Sequence, residues 1–252
     1  MGHLRVPAEF TVVAGSANIG SVRRRDEEIR DAELARVVDK ITAELGPQSV
    51  WPSPVLLEGL AQCILNAVCS TGNRSESVIR VLDRYRRRRV EAGADPNIDG
   101  PAELLAEIRA CGGPEGFADA LGNHWRAWQS KTAPYKTKVI HGAAELLATA
   151  SVHNREQLEA ALENPTRHDA LKRGWRDLPG QRSGLTWRFF LMNTGMPGIK
   201  ADRMITRWTS RALGRSTTPQ EAERILIDAA KRLGVDTRRL DHAVWDREGR
   251  GR

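Results

Sequence analysis

Apolar residues recur at helical spacing along most of this chain, and nowhere do they alternate persuasively at the spacing of a strand. Leu34, Val37, Val38, Ile41 and Leu45 share one helix face, and Gly46-Pro47 ends that helix. From Val55 to Cys69 the pattern is apolar nearly all round (Leu56, Leu57, Leu60, Ile64, Leu65, Val68), which predicts a central, buried helix. A third helix spans about Ser75 to Val90 and closes with Arg86-Arg87-Arg88-Arg89. After a loop holding Pro96 and Pro101, a short helix near Ala102–Cys111 stops at Gly112-Gly113-Pro114. Lys136 to Ala150 is amphipathic, with Val139, Ile140, Ala143, Leu146 and Leu147 inward. Asn154-Arg-Glu-Gln157 is a cap for the next helix, which ends at Asn164-Pro165.

Helices over Arg167–Leu178 and Leu185–Thr194 flank a short Gly/Pro turn, and another covers Asp202–Leu213. Thr218-Pro219-Gln220-Glu221 is a capping box opening a helix that stops at Gly234, and a last short helix covers Arg238 to Arg247. Residues 1–27 lack this periodicity and are expected to form a flexible arm. The fold class is all-α, without a fixed-period repeat.

Composition changes this picture little. A chain of 252 residues buries a substantial core, and its net charge of +7 favours a polyanionic partner through counterion release. No apolar run approaches a membrane span, and the start Met-Gly-His-Leu-Arg-Val-Pro lacks the apolar core of a secretion signal. Cys63, Cys69 and Cys111 show no metal or cluster spacing, and a cytoplasmic chain with reduced thiols is expected.

Chemistry concentrates in Leu178-Pro-Gly-Gln-Arg-Ser-Gly184 and in Asp202, 18 residues beyond Gly184. A tight hairpin between two helices presents backbone N–H groups to a phosphate. A carboxylate held at a fixed distance from that grip points to chemistry on a nucleic acid. Taken alone, an aspartate at such a helix start is more often an N-cap than a catalyst, and the hairpin at this register turns the reading of Asp202 toward chemistry.

The hairpin, then Gly195-Met-Pro197, Lys200-Ala-Asp202 and Arg207, resembles the helix-hairpin-helix DNA glycosylases of the endonuclease III superfamily. A weaker likeness extends to Cys63–Thr71 and Tyr135-Lys-Thr-Lys138. The resemblance implies two lobes: a six-helix bundle over residues 47–198, and a helical lobe made of residues 28–46 and 199–252. It also implies a cleft for a flipped nucleotide, with the Asp202 carboxylate stabilising positive charge on the sugar and orienting water. Double-stranded DNA is the implied partner of a monomeric, cytoplasmic (in a bacterium, nucleoid-associated) protein. DNA-binding residues carried over are Leu178, Gly180, Gln181, Arg182 and Gly184, with Lys138 and Arg207. Arg207 equally suits an ion pair across the lobes, and Lys138 equally suits solvent.

This chain departs from the family pattern at several places. Arg182 stands at the second hairpin glycine, and Gly184 stands where bifunctional members carry the Schiff-base lysine, which implies a monofunctional enzyme using water. The stack-filling glutamine aligns near Val68. The four-cysteine cluster is absent, so no iron–sulfur cofactor is expected, although family members often hold a monovalent cation at the hairpin. Trp125, Trp128 and Trp187 are candidates for stacking on the flipped base, and no metal site is expected. The run Arg86–Arg89 is expected to be a solvated helix end rather than a DNA patch. The competing function is non-catalytic binding of DNA structure or abasic sites.

Overall fold

Because the run after Gly59 has almost no polar face, it can be stable only with neighbours on all sides. In the computed structural model it is helix α2 (Leu60–Cys69), in which every residue but Asn66 is buried. The structure describes the backbone of residues 16–250 except Val55, and side chains within 23–249. Around α2 run α1 (Ser16–Leu45), α3 (Ser75–Glu91), α4 (Pro101–Ala110), α5 (Pro114–Ala120), α6 (Lys136–Thr149), α7 (Arg155–Glu163), α8 (Pro165–Asp177) and α9 (Leu185–Asn193). The chain ends with α10 (Arg203–Leu213), α11 (Pro219–Leu233) and α12 (Thr237–Arg250). The fold is all-α; the described residues add only one isolated bridge, between Arg126 and Tyr135.

Buried side chains fall into two clusters. The larger draws on residues 57–191 and centres on α2, with Trp175, Trp187, Phe190, Phe117 and Tyr85 among its large members. The smaller combines Val37, Ile41 and Trp51 with Ile199, Ile205, Trp208, Leu226 and Val244, so both ends of the described chain build it. Between the clusters run the segments 46–59 and 194–202, and Arg188 of α9 pairs with Glu223 of α11 across the junction.

Several elements differ from the sequence expectation for local reasons. The central helix starts at Leu60, not Val55. Gly59 is its extended N-cap, where a Cβ would lie 2.6 Å from the Pro96 carbonyl. Helix α1 begins at Ser16, inside the segment expected to be an arm; residues 23–32 are exposed on every side and packing starts at Glu33. Residues 1–15 of that expected arm lie outside the described residues. Helix α5, opened by Pro114 at its first turn, has too few residues to show a period. The expected caps are present: Asn154 accepts from Gln157 N at 2.9 Å, and Thr218 and Glu221 form a reciprocal box.

The arginine run at the end of α3 is not a solvated end. Arg89 donates to both oxygens of buried Asp99 at 2.7 and 3.0 Å, and the Tyr85 hydroxyl reaches the same carboxylate at 2.7 Å. Arg88 pairs with Glu107 of α4 at 2.8 Å, and Arg86 donates to Gln62 at 2.6 Å. These bonds tie α3 to α2, to α4 and to the loop that precedes α4.

Candidate functional site

Helix α8 ends at Leu178, whose side chain packs on the larger core above Gly142. The turn that follows needs two left-handed positions, and Gly180 and Gly184 supply them, each at φ +76°. Gly180 also admits the neighbouring loop: a Cβ there would lie 3.0 Å from the Ala127 carbonyl. Arg182 is not among the residues with positive φ, so an arginine at that position leaves the turn unstrained.

The hairpin is held from inside. Buried Gln181 accepts the Thr186 hydroxyl hydrogen and donates to the Pro179 carbonyl at 3.1 Å, while Trp175 donates to the Thr186 oxygen at 2.9 Å. The amide of Gln181 donates to Leu178 O at 3.0 Å and that of Gly184 to Gln181 O at 2.9 Å. These two N–H groups, expected to face a phosphate, are therefore spent on the turn itself. Among the described residues, the hairpin amides without an intrachain partner are those of Gly180, Arg182 and Ser183, all three exposed.

The loop between α5 and α6 lies against this hairpin. Its Trp128 is 48% exposed, whereas Trp125 is partly buried, with the Lys136 ammonium 5.8 Å from its ring centre. Trp187 corrects an expectation: it is 3% exposed and packs against Trp175 and Phe190, so no base can stack on it. Lys138 is exposed in the first turn of α6, while Lys136 turns inward and donates to the carbonyls of Cys69 and Thr71 at 3.2 and 2.6 Å, at the end of α2.

Asp202 is the N-cap of α10. Its Oδ1 accepts from the amides of Met204 and Ile205 at 2.8 and 3.1 Å, and the side chain remains partly exposed. Two residues earlier, the Lys200 amide donates to buried Asp241 of α12 at 2.7 Å. The Lys200 side chain crosses to the larger core, where its ammonium sits 3.2 Å from Ser70 Oγ and 3.7 Å from the Phe189 ring centre. Asp202, Lys200 and Asp241 from one core thus meet Ser70, Phe189 and Lys136 from the other. Phe189 belongs to the helix that the hairpin opens, so the junction and the hairpin share one rigid element.

Burial sets the electrostatics of this junction. It holds the Lys136 ammonium down at about 8, with Cys69 opposing and the neighbouring Lys200 charge adding to the fall. Burial also lowers Lys200, against the opposing pull of Asp202 and Asp241. The Asp241 carboxyl is pushed up to about 7, chiefly by burial, with the Lys200 amide and ammonium opposing and Asp202 adding to the rise. Two desolvated amines, which hold their protons less firmly than surface lysines, thus share this junction with Asp241, a carboxyl that holds its proton more firmly than usual.

Arg207 meets an acid, but within its own lobe and not across the lobes as expected. Its Nε bonds to Glu248 of α12, which also accepts from Arg211 at 2.8 and 2.7 Å, and its side chain stays 44% exposed. The hydrogen bond from Arg211, reinforced by Arg207, holds the Glu248 carboxyl down at about 2. Sequence reasoning missed Lys200 as a functional group, although it stands in the Lys-Ala-Asp stretch, and missed Asp241, for which α12 carries no local signal. Among the described residues no three His, Cys, Asp or Glu side chains are grouped to hold a metal ion, and no helix is long and apolar enough to cross a membrane.

Residues 35–249 match a family described as a domain of unknown function (DUF8548). No curated protein and no solved structure gives a significant match to the chain.

Proposed function

The chain belongs to the DUF8548 family, and for this member we propose a DNA glycosylase-like activity that hydrolyses the N-glycosidic bond of a damaged or modified base. The observation that carries this reading is the position of Asp202. It stands at the junction of two cores, partly open to solvent, beside the desolvated Lys200 amine and on a frame shared with a hairpin that has free amides. Cleavage between base and sugar builds oxocarbenium-like charge on the sugar, and a preorganised carboxylate stabilises that charge while water attacks. The amides of Gly180, Arg182 and Ser183 would hold a backbone phosphate of double-stranded DNA, with Lys138 adding charge nearby. Exposed Trp128, on the loop that covers Gly180, offers a stacking face for an unpaired base.

One observation favours a second reading, binding without catalysis: Oδ1 of Asp202 is already engaged by two helix amides. A single substitution separates the two. Asparagine caps helices as well as aspartate does but carries no charge. Duplexes containing uracil, alkylated purines, oxidised bases or mismatches are incubated with parent and Asp202→Asn protein and scored for alkali-labile abasic sites. Base release by the parent, abolished in the Asn variant with duplex binding retained, supports hydrolysis. Release from no lesion leaves binding alone, and equal release by the variant takes the catalytic role from Asp202 and overturns this mechanism.

A further inference from the structure

Arg155 opens α7, on the larger core, and Arg238 lies in the first turn of α12, on the smaller one, yet their guanidinium groups converge on one glycine. A Cβ added to Gly195 would lie 3.1 Å from Nη1 of Arg155, 3.8 Å from Nη1 of Arg238 and 3.9 Å from a methyl carbon of Leu56. Gly195 follows α9 at φ +98°, a conformation that favours glycine, so no side chain fills the space between the two cations. Each arginine is held by another of its nitrogens. Nη2 of Arg155 donates to the Leu57 carbonyl at 3.0 Å, and Nη2 of Arg238 donates to Asp236 at 3.2 Å. Nε and Nη1 of Arg238 are buried and have no hydrogen-bond partner in the protein, an arrangement that is costly for a charged donor. Asp236 is otherwise engaged, since its Oδ1 accepts from the amides of Arg238 and Arg239. The Arg239 side chain is spent on the carbonyls of Gln48 and Trp51. Among the described residues no acid forms an ion pair with Arg155, and Asp236 alone does so with Arg238. Nη1 of Arg155 also lacks a partner but is not buried, and Gly195 is partly exposed, so the space reaches solvent.

We propose that Arg155, Arg238 and the gap over Gly195 form a binding site for a phosphate group, which bridges Nη1 of both arginines and so ties α7 to α12. Two guanidinium groups held together without an acid between them repel each other, and an anion placed between them turns that repulsion into attraction. Phosphate suits the arrangement because its oxygens accept from donors arriving along different directions, each at about 2.9 Å, and its charge can balance both cations. A free phosphate and a phosphodiester of nucleic acid offer the same oxygens to these nitrogens. The site uses neither Asp202 nor the hairpin, and it does not depend on the glycosylase reading.

The test follows thermal unfolding of the full chain as inorganic phosphate replaces chloride at constant ionic strength. The parent should gain about 5 °C or more in Tm at phosphate roughly 100-fold above its Kd, along a saturating curve. Phosphate also favours burial through its exclusion from protein surfaces, but that effect does not saturate and is common to all variants. Arg155→Met and Arg238→Met should lose the saturating rise whatever their starting Tm, while Arg239→Met should keep it. If Arg238→Met does not fold, Arg155→Met, at the side chain that reaches solvent, carries the comparison. No saturating rise in the parent, or an equal rise in the parent and Arg155→Met, overturns the inference. A lesion-free duplex then identifies the source of the phosphate. For a backbone phosphate, Arg155→Met should weaken binding of all duplex sequences alike and lower its salt slope by about one. For a free phosphate, duplex binding should be equal in parent and variant. Neither arm involves base release, so loss of this site leaves the Asp202 reading intact, and loss of that reading leaves the site.

Discussion

Asp202 caps α10 with one oxygen of its carboxylate, and the proposed chemistry would use the other. Oδ1 satisfies two of the orphan amides at the start of α10, a role that any good cap fulfils. Replacement by alanine should therefore cost about 1 kcal/mol, read as a lower midpoint in urea unfolding, while asparagine should cost nearly nothing. A catalytic role predicts the opposite ranking of causes: both variants lose base release alike, whatever their stability. The type and spacing of this residue were legible in the sequence, and so was its ambiguity between cap and catalyst. Lys200 was equally visible but silent, because an amine's hold on its proton depends on what surrounds it. Trp187 failed for the complementary reason: a tryptophan in a helix looks the same whether its ring faces a cleft or the core.

At the scale of elements, the hairpin was the clearest signal, and its inner bonding was not. The glycines mark left-handed positions, yet which amides remain free depends on the Gln181–Thr186–Trp175 chain of bonds beneath the turn. Gly180→Val should cost about 1 kcal/mol or more, since it forces a branched residue to φ +76° and pushes on the Ala127 carbonyl. If the hairpin grips phosphate, the variant should also bind all duplex sequences more weakly and to a similar degree in a mobility-shift titration. The end of α3 teaches the same lesson. Four successive arginines suggest a solvated cap, but two of them neutralise acids, Asp99 and Glu107, that would otherwise be buried without a counter-charge. Arg89→Met strands Asp99 and should cost about 3 kcal/mol or more by denaturant unfolding, whereas a surface arginine would cost almost nothing.

Across the described residues, α1 and α10 to α12 come together to build one core, and the buried acid Glu248 of α12 is part of what holds it. Glu248 is kept at about 2 by Arg211 and Arg207, below its ordinary 4.5, so it stabilises the fold fully above that ordinary value. That contribution is lost as pH falls toward about 2. The stability advantage of the parent over Glu248→Gln should be constant above about pH 5 and shrink steadily below it, as measured by thermal unfolding across pH. What the sequence determined by itself is what depends on neighbours along the chain: an all-α fold, most helix limits, the caps, the hairpin and the register of Asp202. These follow from periodicity and turn chemistry, which act within a few residues. Only the tertiary structure decided which side chains share a junction. Lys136, Lys200 and Asp241 are separated by tens of residues, and their proton affinities arise from burial between two cores, a property that no local pattern encodes.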